Sequence, residues 1–577
     1  HKFLNYSKMK DIINKKDLRG DLFGGITAGI VAIPLALAFG SSSGMGAIYG
    51  LYGAFAIGIV AALFGGTRTQ ISGPTGPMTV ITALVVVYAT KEYGAPDAPA
   101  ALGFLVACFL AAGAIQVLMG VFRLGAFIRY IPYPVLSGFM SGIGVIIIIL
   151  QIFPALGEAS SPNTVTVIKN LSDFSFVSKI NLAEVGICIA TVLIVYLFPR
   201  VTKAVPSALV ALVAMTAVAA LLIEYQGLDL RLIASEKHGD KHGVPEGFPE
   251  LLLGYLSFLD SAHYIAVLKF GLMLAALGAI DSLLTSVVAD KMTRTRHKSN
   301  QELIGQGLGN MTSACIGGLP GAGATMRTVV NANAGGRNKI SGVIHGTLLL
   351  LLLLGLGPLA NMIPFSVLAG ILFTVGISII DRKGFKDMKA VPSSDSVILW
   401  TVLLLTVFWN LLFAVAIGVF MAFAVSIMKN GFGGTMSLIG SAEKAAKGDA
   451  PTVTGDVIVH ALKGPQFFAT VFAFRDLIAK FPKSKYAVLD LNEAKDFDQS
   501  AAYGLEDALL DLKDGEYTPL LIAPDNENLS LLEATNVIPG TIPSDQVFSD
   551  NEACVEWLRS NSSEDSAKAL ESQMKAC

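Results

Sequence analysis

The sequence predicts a mainly α membrane protein of fourteen transmembrane segments, arranged as two inverted seven-helix repeats and followed by a cytosolic α/β domain. Three observations carry this reading. The 577 residues are 53% hydrophobic and only 15% charged, against about 25% charged in ordinary soluble proteins. Apolar runs near the ~20 residues that cross a bilayer recur along most of the chain. From Val457 onward, short β-type runs alternate instead with helical stretches. Mean hydropathy is +0.61, which excludes a soluble array of domains, a disordered chain and a collagen-like one. The five cysteines contain no CxxC and the seven histidines no metal spacing.

In chain order the apolar segments are 21–39, 48–63, 76–87, 102–121, 134–153, 182–198 and 205–222, then 265–288, 303–316, 322–331, 340–357, 367–380, 397–412 and 414–428. The charged N-terminal stretch does not read as a cleavable signal peptide. Placing it in the cytoplasm puts Arg68, Arg123, Arg200, Lys291, Arg294, Arg337, Arg382 and Lys386 on inner loops. Outer loops then hold few cations, among them Lys91, Lys169 and Arg231. The bias persists through all fourteen segments, as the positive-inside rule requires, and places both termini in the cytoplasm. The basic run from Lys291 to Lys298 needs only anionic lipid beside it, so no nucleic-acid partner is invoked.

The resulting division is an N-terminal segment 1–19, repeat 20–223, an extracellular connection 224–264, repeat 265–430, a linker 431–456, the α/β domain 457–560 and a tail 561–577. Seven segments per half force the second half into inverted topology. The short third and tenth segments occupy matching positions, each preceded by Gly/Pro-rich chain: 65–77 in one half, 317–325 in the other. This is the sequence pattern of inverted-repeat transporters with discontinuous helices. Two half-helix N-termini facing each other would supply unpaired N–H groups and partial positive charge, which is an anion site.

Polar residues inside the apolar block are the site candidates. Asp281 lies within 265–288, and Thr285 sits one turn further on the same helix face. Carboxylate, hydroxyl and carbonyl oxygens suit a small alkali cation. Arg327 falls in the first turns of the tenth segment, where it adds charge to the anion site, neutralises Asp281, or serves as a structural cation at the inner surface. Glu302 and Asp290 read as interfacial, beside the basic inner loop.

At these residues the chain resembles the SulP anion transporter family. The resemblance rests on Asp21-Leu-Phe-Gly-Gly-Ile-Thr-Ala-Gly, Ile71-Ser-Gly-Pro-Thr-Gly-Pro-Met-Thr-Val and Asn300-Gln-Glu-Leu-Ile-Gly-Gln-Gly-Leu-Gly-Asn. Asp281-Ser-Leu-Leu-Thr and Gly321-Ala-Gly-Ala-Thr-Met are most similar to its BicA-type sodium-dependent bicarbonate transporters. The resemblance implies a core and a gate domain and an elevator-like motion. It implies an anion between Thr75 and Gly76 on one side and Ala324 and Thr325 on the other, with Arg327 adjacent. It implies sodium held by Asp281, Thr285, Gly323, Ala324 and Thr325. Arg327 departs from the BicA-type pattern, which has a small residue there, and matches the wider family's exchangers.

The cytosolic block reads as strands 457–462, 486–491 and 519–523 with helices 470–480, 501–512 and 551–559. In position it resembles the family's STAS domain, which implies a homodimer. Ser500 lies where related domains carry a phosphorylatable serine, and reads either as that or as a helix N-cap. The function expected is sodium-coupled bicarbonate uptake across a bacterial-type plasma membrane, with Na+ as coupling ion and no cofactor. The rivals are proton-coupled sulfate or dicarboxylate transport, and an uncoupled anion exchanger or channel. No nucleophile–base pair or nucleotide loop suggests an enzyme.

Overall fold

The computed structural model describes residues 17–561, apart from stretches of which the longest are 431–451 and 466–477. They form two compact units, one of His1–Ile128 with Ile143–Ile380, the other of Arg129–Gly142 with Asp381–Cys577.

The first unit is helical. Its helices are α1 (Leu18–Ser42), α2 (Ala47–Phe64), α3 (Gly76–Tyr93), α4 (Pro99–Val121), the later part of α5 (Tyr133–Leu150), α6 (Leu182–Leu197), α7 (Ser207–Gln226), α8 (Tyr264–Thr293), α9 (Ser299–Cys315), α10 (Thr325–Asn333), α11 (Ile340–Ala360) and α12 (Phe365–Ile379). Local chemistry sets several ends. The Asn181 side chain accepts the Ala183 N–H at 3.0 Å and caps α6. Gly227, at φ 61°, stops α7 in the left-handed conformation. Exposed Leu182 and Ile265 mark surfaces suited to hydrocarbon. Helices approach closely where side chains are absent: a Cβ on Gly307 of α9 would lie 2.5 Å from the Gly113 carbonyl oxygen of α4.

Two short extended pieces position the site. Strand β1 (Ser72–Gly73) pairs antiparallel with β2 (Ala322–Gly323), Ser72 opposite Gly323 and Gly73 opposite Ala322. Helix α3 begins just after β1, and α10 just after β2.

The second unit holds α13 (Ser393–Phe408), α14 (Leu411–Asn430) and a five-stranded sheet. The strands are β3 (Thr452–Thr454), β4 (Val457–Ala461), β5 (Tyr486–Asp490), β6 (Thr518–Ile522) and β7 (Val547–Phe548), in the order β7-β6-β5-β4-β3. All pairings are parallel except β3 with β4. Alternate residues face opposite sides. Ile458, Leu489 and Leu521 pack with Ala502, Leu505 and Leu509 of α15 (Gln499–Asp514). Val457, Val488 and Leu520 pack with Cys554, Val555 and Leu558 of α16 (Asn551–Asn561). The three predicted strands and two of the three predicted helices are present. Predicted helix 470–480 lies almost wholly outside the described residues, as do linker residues 431–451 and tail 562–577. The cap of α15 is Asp498, which accepts the Ala501 N–H at 2.7 Å, so Ser500 is a first-turn residue and not the N-cap. Its buried hydroxyl accepts the Tyr133 N–H at 3.0 Å.

Each of the fourteen predicted apolar segments overlaps a helix, the tenth beginning on strand β2. Among the described residues, seven helices are long and apolar enough to cross a membrane alone, or eight if a bent pair counts as one span. The rest are shorter or more polar, α3 and α10 among them.

Candidate functional site

The strand pair brings the starts of α3 and α10 together. Extended Thr75 is the N-cap of α3, with Pro77 in its first turn. Extended Ala324 is the N-cap of α10. The Ala324 N–H donates to the Ile71 carbonyl at 2.8 Å, and the Ile71 N–H to Thr328 Oγ1 at 3.0 Å, which extends the link beyond the paired residues. Backbone contact here is too close for side chains: a Cβ on Gly321 would lie 2.2 Å from the Gly73 carbonyl oxygen.

Helix α8 lays a polar face against this junction. Thr75 Oγ1 donates to Asp281 Oδ2 at 2.8 Å. Thr285 Oγ1 donates to the Gly323 carbonyl at 3.0 Å and lies 2.7 Å from Thr325 Oγ1. Asp281 and Thr285 are buried, and Thr325 is exposed at the edge of the cluster. Every residue assigned to the sodium set in the sequence therefore falls in one cluster, as do Thr75 and Gly76. A small pocket opens beside Gly76, lined by Phe39, Ser42, Thr79, Ile147, Gln151 and Leu372 among others.

Arg327 is 2% exposed, which rules out the role of inner-surface cation. Its Nη2 donates to the carbonyl of Pro74, the residue before Thr75. Its Nη1 is buried with no hydrogen-bond partner among the described residues, and faces Gly73. Asp281 lies within its electrostatic reach.

Several site-building residues were not singled out in the sequence. Ser282 Oγ accepts the Gly323 N–H at 3.0 Å. Ser286 Oγ donates to Gln70 Oε1 at 2.8 Å. Asn310 accepts the Gly321 N–H at 2.8 Å and donates to the Gly321 carbonyl at 3.0 Å. Glu302, read as interfacial and left out of the site, is 2% exposed and fully hydrogen-bonded within the protein. The signal was present: Glu302, Gln306 and Asn310 recur every fourth residue, a polar stripe on one face of α9.

Paired helix starts around a buried carboxylate, in a helical frame of membrane-spanning length, define a membrane transport protein with broken helices. A model of the sulfate permease family matches residues 18–402, and the chain belongs to that family. The bicarbonate transporter BicA of Picosynechococcus sp. is 38% identical over 557 residues, covering 94% of this chain and 95% of the relative. A putative sulfate transporter of Bacillus subtilis, YvdB, is 32% identical over 535 residues, covering 91% and 95%. Among solved structures, the transmembrane domain of a cyanobacterium bicarbonate transporter BicA matches with TM-score 0.62 and 43% identity, over 70% of this chain and 98% of that one. SLC26A9, at 16% identity and TM-score 0.64 over 96% of this chain and 92% of that one, shares the fold.

Proposed function

We propose that the chain is a secondary active transporter that imports bicarbonate together with sodium by elevator-like alternating access. The observation that carries this is the Ser72–Gly323 pairing, which sets both helix starts beside Asp281 and Thr285. The anion sits between Thr75–Gly76 and Ala324–Thr325, where N–H donors and two helix dipoles favour negative charge. Sodium takes the Asp281 carboxylate, the Thr285 and Thr325 hydroxyls and the Gly323 and Ala324 carbonyls, all hard oxygen ligands. A cation there offsets the repulsion between Asp281 and the anion, so each ion raises the other's affinity. Relatives named as bicarbonate transporters support the choice of anion.

The same reading includes fourteen crossings as two inverted repeats, a core and a gate domain, and cytoplasmic termini in a bacterial-type plasma membrane. It takes the C-terminal sheet as a STAS domain through which two copies associate.

The test is uptake of labelled bicarbonate and labelled sulfate into proteoliposomes. Saturable bicarbonate uptake that excess sulfate does not inhibit is expected; preference for sulfate overturns the substrate assignment. Buried Arg327 favours one second reading, an exchanger in which the guanidinium supplies the fixed positive charge. In that case Arg327→Gln abolishes anion exchange, and sodium has no effect on the unmodified protein.

A further inference from the structure

The broken segment before α3 starts at a turn gripped by two opposite charges. Gly65, the C-cap of α2, donates its N–H to the Ala61 carbonyl at 2.7 Å. Lys339 Nζ donates to the Gly65 carbonyl at 2.6 Å and the Leu63 carbonyl at 3.1 Å. These are carbonyls at a helix C-terminus, where a cation is favoured. On the other side of the turn, Glu302 Oε2 accepts the Gly66 and Thr67 N–H groups, each at 2.8 Å. Its Oε1 accepts Gln70 Nε2 at 2.9 Å and Gln306 Nε2 at 2.8 Å. Gln306 Nε2 also donates to Ser72 Oγ at 2.6 Å. A line of bonds therefore runs from the carboxylate to the residue that pairs with Gly323. Lys298 closes the grip, donating its N–H to the Gly66 carbonyl at 3.2 Å.

We infer that Glu302 and Lys339 form a charge clamp that sets where the extended chain enters the core, and so positions Thr75 and Gly76 for the anion. Neither residue bonds to the proposed ion ligands, so both are positioning residues. The inference rests on the anion site proposed above. Glu302→Gln keeps shape and volume but turns one acceptor oxygen into an NH2 group. Turned one way, its NH2 opposes the Gly66 and Thr67 N–H groups, which cannot adjust. Turned the other, it opposes the Gln70 and Gln306 amides, which must flip to accept it and give up their present bonds with Ser286 and Ser72. Either way the charge is lost. Lys339→Arg keeps a cation on the carbonyls; Lys339→Gln removes it.

Two measurements on the full chain test this. Hydrogen–deuterium exchange over residues 65–75 reads the clamp without any substrate. Faster exchange at Gly66 and Thr67 in Glu302→Gln is expected, and unchanged exchange overturns the clamp. Uptake kinetics read its consequence. In Glu302→Gln the anion KM rises by about tenfold, the scale of lost charge-assisted hydrogen bonds, while the maximum rate stays near that of the unmodified protein. Lys339→Gln gives a smaller rise in KM, and Lys339→Arg restores the original value. A faster-exchanging Glu302→Gln protein with unchanged KM overturns the positioning role. Should the unmodified protein transport neither bicarbonate nor sulfate, the anion-site reading fails and the positioning role falls with it, while the exchange data still decide the clamp.

Discussion

Asp281 and Arg327 are opposite formal charges buried at the helix junction, and in the proposed transport they make opposite demands on the ions. If Asp281 holds sodium, Asp281→Asn keeps the Thr75 contact through its amide oxygen and loses the charge. Sodium stimulation of uptake should then vanish while the protein remains folded, read by size-exclusion profile and uptake at varied sodium. Thr285→Val removes one oxygen from the same cluster and leaves the Gly323 carbonyl without its donor. The sodium concentration for half-maximal uptake should rise by roughly tenfold, the value of about 1.4 kcal/mol. Asp281 and Thr285 were legible because a carboxylate within an apolar run is costly and one helical turn is a fixed spacing. Glu302 was set aside for its place near a basic loop, although its four-residue repeat with Gln306 and Asn310 marks one polar helix face. What the stripe does not show is the set of partners: Gly66, Thr67 and Gln70 arrive as donors from elsewhere in the chain, beside Gln306 of the same helix.

Among elements, the two-residue strands β1 and β2 hold the site together. Glycine and proline flagged the breaks before α3 and α10, but no sequence pattern reveals a pairing between residues so far apart in the chain. Gly321→Ala tests the pairing directly. The added Cβ meets backbone, which cannot rotate away, so the strands must separate. Loss of uptake with the helical circular dichroism spectrum retained is expected. The central strands of the C-terminal sheet were legible through alternation, whereas short β3 and β7 gave too little pattern. Helix α16 offers a second check at this scale. Burial pushes the Cys554 thiol up to about 12, so at pH 8 it stays protonated and inert. The Ala553 N–H and then the Ser549 hydroxyl hold Asp550 below the usual carboxylate range. A depressed carboxylate adds stability above its unfolded pKa and loses it as pH falls through its folded value. At pH 8 that contribution is fully present, so Asp550→Ala should speed thiol labelling of Cys554, followed by mass spectrometry. Equal labelling rates would remove Asp550 as a support of α16.

For the whole molecule, the net charge of −2 conceals a division: 12 basic and 23 acidic residues from Ser441 onward, against 30 basic and 21 acidic before it. On the proposed reading, the excess of positive charge in the apolar part orients it, and Asp281 and Arg327 balance the cargo. The long helices were legible from apolar length alone. The short ones were legible through their flanks and their matching places in the two halves. The way elements of both halves combine into one packed unit was not, because packing partners are set by small residues such as Gly113 and Gly307 meeting across helices. The central claim is that bicarbonate moves with sodium. The most direct measurement is labelled bicarbonate uptake into proteoliposomes at fixed pH, with and without an inward sodium gradient. Uptake driven above equilibrium by the gradient, and abolished by collapsing it, is predicted. Bicarbonate uptake indifferent to sodium would contradict the account.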